Sequence, residues 1–246
     1  MYSFKREHEE GKRDLLFIHG YGATGTSFNK LKKYKRTFNI ITINLPFNKM
    51  INNKELSIET YIDYVNKFVD EKGLIDFDVV GHSLGGPIAL GITKAKKRLL
   101  IAPLNPFVNN KEKWLLARNM DDATNAMKNI VYKYEDHWSD DEINSMANTH
   151  MLFVDKNNKF ISQLVKKQLM DKDYYQTGLS KLFAEKDFYV IGGENDQYVS
   201  MDSMIETTKQ FNKKLFKIKE CGHSPIFEKP EKIRDIIESV LKVEVD

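Results

Sequence analysis

Cysteine is nearly absent from this chain. Cys221 is the one cysteine among 246 residues, so neither an intramolecular disulfide nor a cysteine cluster for a metal can form. This usage is typical of a protein kept in a reducing compartment, and we predict a cytoplasmic location. We expect Cys221 itself to pack as a small buried apolar group.

Long apolar runs are also missing. No stretch approaches the ~18 residues that cross a bilayer, and residues 1–10 lack the apolar segment of a signal peptide. We therefore expect no stable membrane insertion.

Neither sign of charge dominates. The chain has 38 Lys and Arg against 35 Asp and Glu, a net charge of +3, and it carries no motif of a nucleic-acid-binding module. Nucleic acid is thus a poor candidate partner. We expect a small-molecule partner and a monomer or homodimer.

What the sequence does contain is an alternation of short apolar runs with segments of helical spacing. The runs are typical of buried parallel strands, and the segments place apolar residues on one helix face. Strands are predicted at 15–18, 38–45, 77–80, 99–102, 188–191 and 215–218, with an edge strand within 2–7. Helices are predicted at 27–34, 58–69, from the turn after 80 to about 96, at 200–211 and from 230.

The alternation stops between residues 104 and 180, where apolar residues come at helical spacing among many charges. At about 150 residues per domain, the length corresponds to roughly 1.6 domains. We predict one α/β core, residues 1–103 and 181–246, with a helical cap insert at 104–180. The core would be a mainly parallel sheet flanked by helices on both faces.

Residues 81–85, Gly-His-Ser-Leu-Gly, fit the pattern G-x-S-x-G between a predicted strand and a predicted helix. Glycines on both sides of a serine allow a tight, strained turn that exposes its hydroxyl at the carboxyl edge of the sheet. Ser83 is therefore the candidate nucleophile.

A serine hydroxyl attacks poorly without a base, and the base needs an acid to orient it. His223 follows the last predicted strand, and Asp196 follows the strand before it. Glu194 lies closer to the strand end and Asp202 falls inside a predicted helix, so Asp196 is the preferred acid. The order serine, aspartate, histidine is the one expected of an α/β-hydrolase.

The oxyanion of the tetrahedral intermediate needs two preorganised donors. We expect the backbone N–H groups of Leu84, directly after the nucleophile, and of Tyr21, in the glycine-rich loop after the first core strand. His19 is predicted to shape that loop, and His82 to pack or hydrogen-bond below the turn.

Two further histidines, His137 and His150, lie in the insert near several aspartates. A metal site there is conceivable, but a solvated acidic helix face is the favoured interpretation. We expect no metal and no cofactor.

The chain resembles the α/β-hydrolase fold superfamily, in the branch of small serine esterases and lipases with a helical cap. The resemblance rests on four motifs in order: LLFIHGYG at 15–22, VVGHSLGG at 79–86, GGENDQ at 192–197 and GHSPIFEKPE at 222–231. One departure is the loop at 44–49, NLPFNK, where many relatives have Asp-x-x-Gly-x-Gly. Serine at position 83 argues against the haloalkane dehalogenases, which use aspartate.

The resemblance and the residues together predict hydrolysis of short or medium acyl esters through an acyl-enzyme on Ser83. Alternatives are a C–C bond hydrolase or perhydrolase with the same triad, and a non-catalytic ligand-binding protein. Large apolar residues of the insert are candidates to cover an acyl chain: Trp114, Met120, Met127, Trp138, Met151 and Phe153.

Overall fold

Seven strands form a single sheet in the computed structural model, which describes residues 2–108 and 113–242. The strands are β1 (Phe4–Glu7), β2 (Arg13–Ile18), β3 (Phe38–Ile43), β4 (Phe77–His82), β5 (Arg98–Ile101), β6 (Tyr189–Gly193) and β7 (Lys214–Ile218). Their order across the sheet is β1-β3-β2-β4-β5-β6-β7. The edge strand β1 pairs antiparallel with β3, and the other neighbours pair in parallel. The predicted sheet is thereby confirmed.

The α-helices of the described ranges lie between the strands in the chain, except for the last two, which follow β7. They are α1 (Ile58–Glu71), α2 (Gly85–Leu90), α3 (Met120–Asn129), α4 (Asp140–Leu164), α5 (Lys172–Tyr174), α6 (Ser180–Ala184), α7 (Met201–Gln210), α8 (Pro225–Glu228) and α9 (Pro230–Leu241). In residues 2–108 and 113–242, every helix is too short or too polar to span a lipid bilayer.

The central strand β2 shows why the run LLFI folds as it does. Leu16 and Ile18 belong to the apolar cluster on one face of the sheet, and Leu15 and Phe17 belong to the cluster on the other. All four side chains are fully buried. Successive side chains of a strand point to opposite faces of the sheet. An uninterrupted apolar run therefore places apolar side chains on both faces, as a sheet covered on both faces requires.

Helix α1 begins where its sequence predicts. The Ser57 hydroxyl accepts from the Thr60 N–H at 3.1 Å, and the Thr60 hydroxyl accepts from the Ser57 N–H at 2.8 Å. This reciprocal capping satisfies two N–H groups at the helix start.

Two predicted helices differ from the structure. The segment after β2 is a 3-10 helix, Gly25–Lys33, and not an α-helix. Helix α2 ends at Leu90, short of the predicted end near Lys96. A Cβ placed on Gly91 would lie 2.5 Å from Ile62 of α1, so the chain comes too close to its neighbour here to carry a side chain.

The chain between β5 and β6 divides into two parts that pack differently. The outer part, residues 113–147, has its own small apolar cluster. The inner part, residues 161–183, supplies residues such as Ile161 and Phe183 to the large cluster on one face of the sheet. One continuous segment therefore contains a region fused to the core and a region laid over it.

Candidate active site

Ser83 sits at a sharp turn directly after β4. Its backbone has φ +54°, in the left-handed region that non-glycine residues rarely adopt. The turn is held by the Ser83 N–H, which donates to the Ile101 carbonyl at 3.0 Å, and by the Ser83 carbonyl, which accepts from Gly86 and Leu104 at 2.9 and 3.1 Å. The predicted strained turn is present at this serine.

The glycines flanking Ser83 allow a close backbone approach. A Cβ on Gly85 would lie 2.2 Å from the Ile18 carbonyl oxygen, and a Cβ on Gly81 would lie 2.1 Å from the Gly85 carbonyl oxygen. No side chain can occupy either position without moving the backbone. The spacing G-x-S-x-G thus reflects two separate steric limits.

His223 reaches both Ser83 and Asp196. Its Nε2 lies 3.0 Å from the Ser83 Oγ, and its Nδ1 lies 2.8 Å from the Asp196 Oδ2. Because a carboxylate only accepts, Nδ1 carries the ring proton and Nε2 is the acceptor for the serine hydroxyl. The three residues predicted from separate motifs therefore meet as one hydrogen-bonded chain.

The Asp196 carboxylate is fixed on both oxygens. Oδ1 accepts from the Tyr198 and Val199 N–H groups at 2.8 and 2.9 Å, which leaves Oδ2 for the histidine. Its side chain is completely buried. The rival acids Glu194 and Asp202 are exposed, so the structure places the preferred acid, and neither rival, beside the ring.

The loop with Tyr21 lies against Ser83, the candidate nucleophile. A Cβ on Gly20 would stand 3.0 Å from the Ser83 Cβ, and Tyr21 and Ser83 line the same cavity. The Tyr21 hydroxyl donates to the Leu115 carbonyl at 2.6 Å, which fastens this loop to the outer part. Leu84 is buried at the start of α2. Leu84 directly follows Ser83 in the chain and Tyr21 lines the same cavity, and their role as oxyanion donors stays a prediction.

His19 shapes this loop from inside the core, as predicted. Its Nδ1–H donates to the Gly20 carbonyl at 2.8 Å, and its Nε2 accepts from the Leu45 N–H at 2.9 Å. Burial lowers the pKa of His19 to about 4. The ring is neutral at pH 7 and acts as a fixed bridge between two loops.

His82 hydrogen-bonds, as expected for the residue before the turn. Its Nε2–H donates to the His223 carbonyl at 2.7 Å. Burial and the neighbouring His223 ring lower the pKa of His82 to about 4. Its bond holds the backbone of the candidate base.

A cavity of about 480 Å³ opens above Ser83 and His223. The outer part contributes Ile130, Trp138 and Met146 to its wall. The 3-10 helix contributes four polar residues to the wall: Thr26, Ser27, Asn29 and Lys30. A small organic molecule fits a space of this size beside the serine hydroxyl.

The predicted cover residues are placed unevenly. Trp138 lines the cavity, whereas Met120 is 37% exposed and Phe153 packs against Tyr21 at 5.5 Å between ring centroids. Two methionines pack with the small cluster of the outer part: Met127 and Met151. The side chain of Trp114 lies outside the described part of the chain. Helical spacing marks buried faces, but it does not tell which buried face meets the cavity.

Glu228 is a site residue that the sequence reasoning missed. Its carboxylate accepts from the N–H groups of Gly222, Ser224 and Tyr132 at 2.9, 3.2 and 2.9 Å. The first two flank His223, and the third belongs to the outer part. The available signal was Ser-Pro at 224–225, which is typical of a helix start and places a glutamate four residues on.

His137 and His150 are half-buried, and the aspartates of the predicted acidic face, Asp136, Asp140 and Asp141, are exposed to solvent. The His137 ring packs against Phe227 at 5.7 Å, and the His150 ring stacks on Phe153 at 6.3 Å. Within the described ranges, no set of three histidine, cysteine or acidic side chains is arranged to hold a metal ion. Cys221 is fully buried among apolar residues, as predicted, and burial raises the pKa of its thiol.

Comparison with known proteins gives a family match over most of the chain. A model described as the Alpha/beta hydrolase family matches residues 15–236. A Mycoplasma pneumoniae protein named "Putative esterase/lipase 2" is 26% identical over 254 residues, covering 96% of this chain and 91% of the relative.

Solved structures share the fold. A "putative lipase" from Acinetobacter baumannii AYE superposes with a TM-score of 0.80 at 18% identity, covering 98% of this chain and 87% of the other. A meta-cleavage product hydrolase from Pseudomonas fluorescens gives a TM-score of 0.74 at 14% identity, covering 96% and 92%. At such low sequence identity, the structural similarity shows that the fold is shared and shows nothing about the activity.

Proposed function

The chain belongs to the alpha/beta hydrolase family, and within that family we propose that it is a serine hydrolase that cleaves carboxylic esters through an acyl-enzyme on Ser83. The observation that carries the proposal is the hydrogen-bonded chain from Ser83 through His223 to Asp196, which opens into the cavity. The relation to a protein named as an esterase/lipase supports the same class of reaction.

In the acylation step, the Ser83 Oγ attacks the ester carbonyl while the His223 Nε2 takes its proton. The ring then gives that proton to the leaving alcohol as the tetrahedral intermediate collapses. Asp196 holds the ring in the required tautomer and stabilises the imidazolium. Water activated by the same nitrogen then releases the acid and restores the serine.

The charge that develops on the carbonyl oxygen needs donors that are already in place. We assign this role to the N–H groups of Leu84 and Tyr21. The loop of Tyr21 is held by His19 and by the bond to Leu115. A donor fixed before the reaction costs no reorganisation when the charge appears.

We propose that the insert at 104–180 acts as a cap, with its outer part covering the substrate. Ile130, Trp138 and Met146 give this side of the cavity an apolar lining suited to a short or medium acyl chain.

The test is hydrolysis of p-nitrophenyl butyrate by wild type and by Ser83→Ala. We expect Ser83→Ala to lose at least about a thousandfold in kcat/KM. Ser145→Ala, at an exposed serine of α4, is the matched control and should retain full activity. Undiminished hydrolysis by Ser83→Ala would overturn the proposal.

The same variants should be run on a β-diketone and in a peracid-forming assay. Turnover of the diketone that depends on Ser83, without turnover of any ester, would replace ester hydrolysis by C–C bond cleavage as the function.

A further inference from the structure

The cavity above Ser83 has two unlike walls. The outer part contributes apolar residues, and the 3-10 helix Gly25–Lys33 contributes residues whose side chains carry hydroxyl, amide and ammonium groups. An ester with an apolar portion and a polar portion matches this division of residues.

The charged side chain in this wall is a cation. Lys30 lines the cavity, and within the described ranges no aspartate or glutamate does. Nor does any carboxylate of residues 2–108 and 113–242 lie within ion-pair distance of Lys30, whereas its helix neighbour Lys32 pairs with Glu7 at 2.7 Å. Among the described residues, the lysine that lines the cavity therefore has no carboxylate partner.

Lys30 is held where it meets the cavity. Its Nζ stands 3.5 Å from the centroid of the Phe227 ring, which also lines the cavity. On the insert side, Phe227 packs against Trp138 at 5.0 Å between ring centroids. Lys30 is half-buried, and an anion beside its ammonium near the protein surface is attracted more strongly than in bulk water.

The position of Lys30 also indicates which half of an ester it meets. The leaving alcohol must lie at the His223 Nε2, because that nitrogen protonates it. The residues that follow His223 form the adjacent cavity wall, and Phe227 carries the ammonium. In the proposed mechanism the carbonyl oxygen is bound by the N–H groups of Leu84 and Tyr21.

We propose that Lys30 selects esters whose alcohol portion carries an anionic group, a carboxylate or a phosphate, with the apolar acyl chain under the outer part. This inference rests on the proposed ester hydrolysis and narrows its substrate class. The anion is bound through its charge, and the ester bond is cleaved by the same triad.

The test uses two esters with the same acyl group, 4-(butyryloxy)benzoate and its neutral methyl ester. The two phenols differ in reactivity, so the quantity of interest is the ratio of their kcat/KM values in each variant. We expect Lys30→Met to lower kcat/KM for the anionic ester about fivefold to tenfold, as the loss of one charge-assisted contact does. The neutral ester should change by less than about twofold.

Two variants serve as controls. Lys30→Arg keeps the charge and should retain most of the preference. Lys33→Met removes a lysine from the same 3-10 helix at an exposed position outside the cavity wall, and it should leave the ratio unchanged. In wild type, added salt should lower kcat/KM for the anionic ester more than for the neutral one.

Further substrates identify the anion and its place. The 1-butyryl esters of glycerol and of glycerol 3-phosphate test phosphate on the alcohol side, and mono-4-nitrophenyl glutarate carries its carboxylate on the acyl side. If Lys30→Met lowers activity toward mono-4-nitrophenyl glutarate and leaves activity toward the esters with an anionic alcohol portion unchanged, the assignment to the alcohol half is overturned.

An unchanged ratio in Lys30→Met, with Ser83-dependent hydrolysis of the neutral ester intact, overturns this inference and leaves the proposed function standing. Absence of Ser83-dependent hydrolysis of every ester overturns both.

Discussion

The outer and inner parts of the chain between β5 and β6 are covalently continuous, yet they are stabilised in different ways. The inner part places large side chains, such as Ile161 and Leu164, in the cluster that covers the sheet. The outer part buries smaller residues, among them Ala123 and Ala147, in a cluster of its own. One continuous segment therefore contains a region packed into the main core and a region with an apolar cluster of its own.

The outer part is fastened to the core mainly beside the active site. The Tyr132 N–H donates to Glu228, and the Tyr198 hydroxyl donates to the Ala126 carbonyl. The Tyr198 ring in turn stands edge-on to His223 at 5.2 Å between ring centroids. The outer part is therefore in contact with the residues that hold the candidate base.

The largest effect should come from the core, where the chemistry is proposed to occur. Asp196→Asn removes the carboxylate that fixes the His223 tautomer, and we expect kcat for p-nitrophenyl butyrate to fall about 10⁴-fold. Urea unfolding should show that the variant is folded. A loss of less than about tenfold in kcat would mean that Asp196 does not fix the tautomer of His223 during the reaction.

A matched pair of isoleucines compares the two parts directly. Ile161 and Ile143 are both fully buried, one in each cluster. Ile161→Ala should lower the free energy of unfolding by about 3 kcal/mol, because it leaves a cavity in the main core. Ile143→Ala should lower it less and should instead speed local opening of the outer part.

Urea denaturation measures the first effect, and hydrogen exchange along residues 120–147 measures the second. Equal losses of global stability in both variants, without faster local exchange in Ile143→Ala, would show that the outer part is as firmly fused as the inner part.

Lowering the pH should lower the free energy of unfolding through protonation of His19. Its folded-state pKa is about 4, below the ordinary value of 6.5, so the unfolded chain binds a proton that the folded chain refuses. The stability present above pH 6.5 is lost as the pH falls toward 4, by about 3 kcal/mol at most.

The measurement is the difference in unfolding free energy between wild type and His19→Gln. This difference should shrink as the pH falls from about 7 to about 4. A constant difference would show that His19 is protonated equally in both states.

The smallest effect should be found where the outer part and the base meet. Glu228→Gln replaces a carboxylate that accepts three N–H bonds by an amide that has fewer acceptor sites. We expect kcat to fall roughly tenfold, with little change in KM, as His223 loses its fixed position. Glu231→Gln, at an exposed glutamate of α9, is the control.

A fall in unfolding free energy with unchanged kcat would assign Glu228 a purely structural role. Faster exchange around Tyr132 in Glu228→Gln would support its link to the outer part.

The sequence predicted the fold and the three central site residues because their signals are local. A buried strand needs a short apolar run, and the turn at Ser83 needs glycines on both sides. Asp196 and His223 could be placed because parallel strands end at one edge of a sheet. Each motif is local in the chain, and the shared edge of the sheet is what brings the three residues together.

The remaining features depend on contacts between distant residues. Glu228 meets Tyr132 across 96 positions of the chain, and no spacing rule predicts that pair. Helical periodicity in the insert marked the buried faces, but it could not separate a face on the sheet from a face on the small cluster. The contact of Lys30 with Phe227, 197 positions away in the chain, likewise follows only from the three-dimensional fold.

The central claim is that Ser83 is the nucleophile, and peptide mapping after reaction with a fluorophosphonate tests it most directly. We predict a single phosphonylated peptide with the adduct on Ser83, and no adduct in Ser83→Ala. An adduct on another residue, or continued ester hydrolysis by wild type without any adduct, would contradict the account.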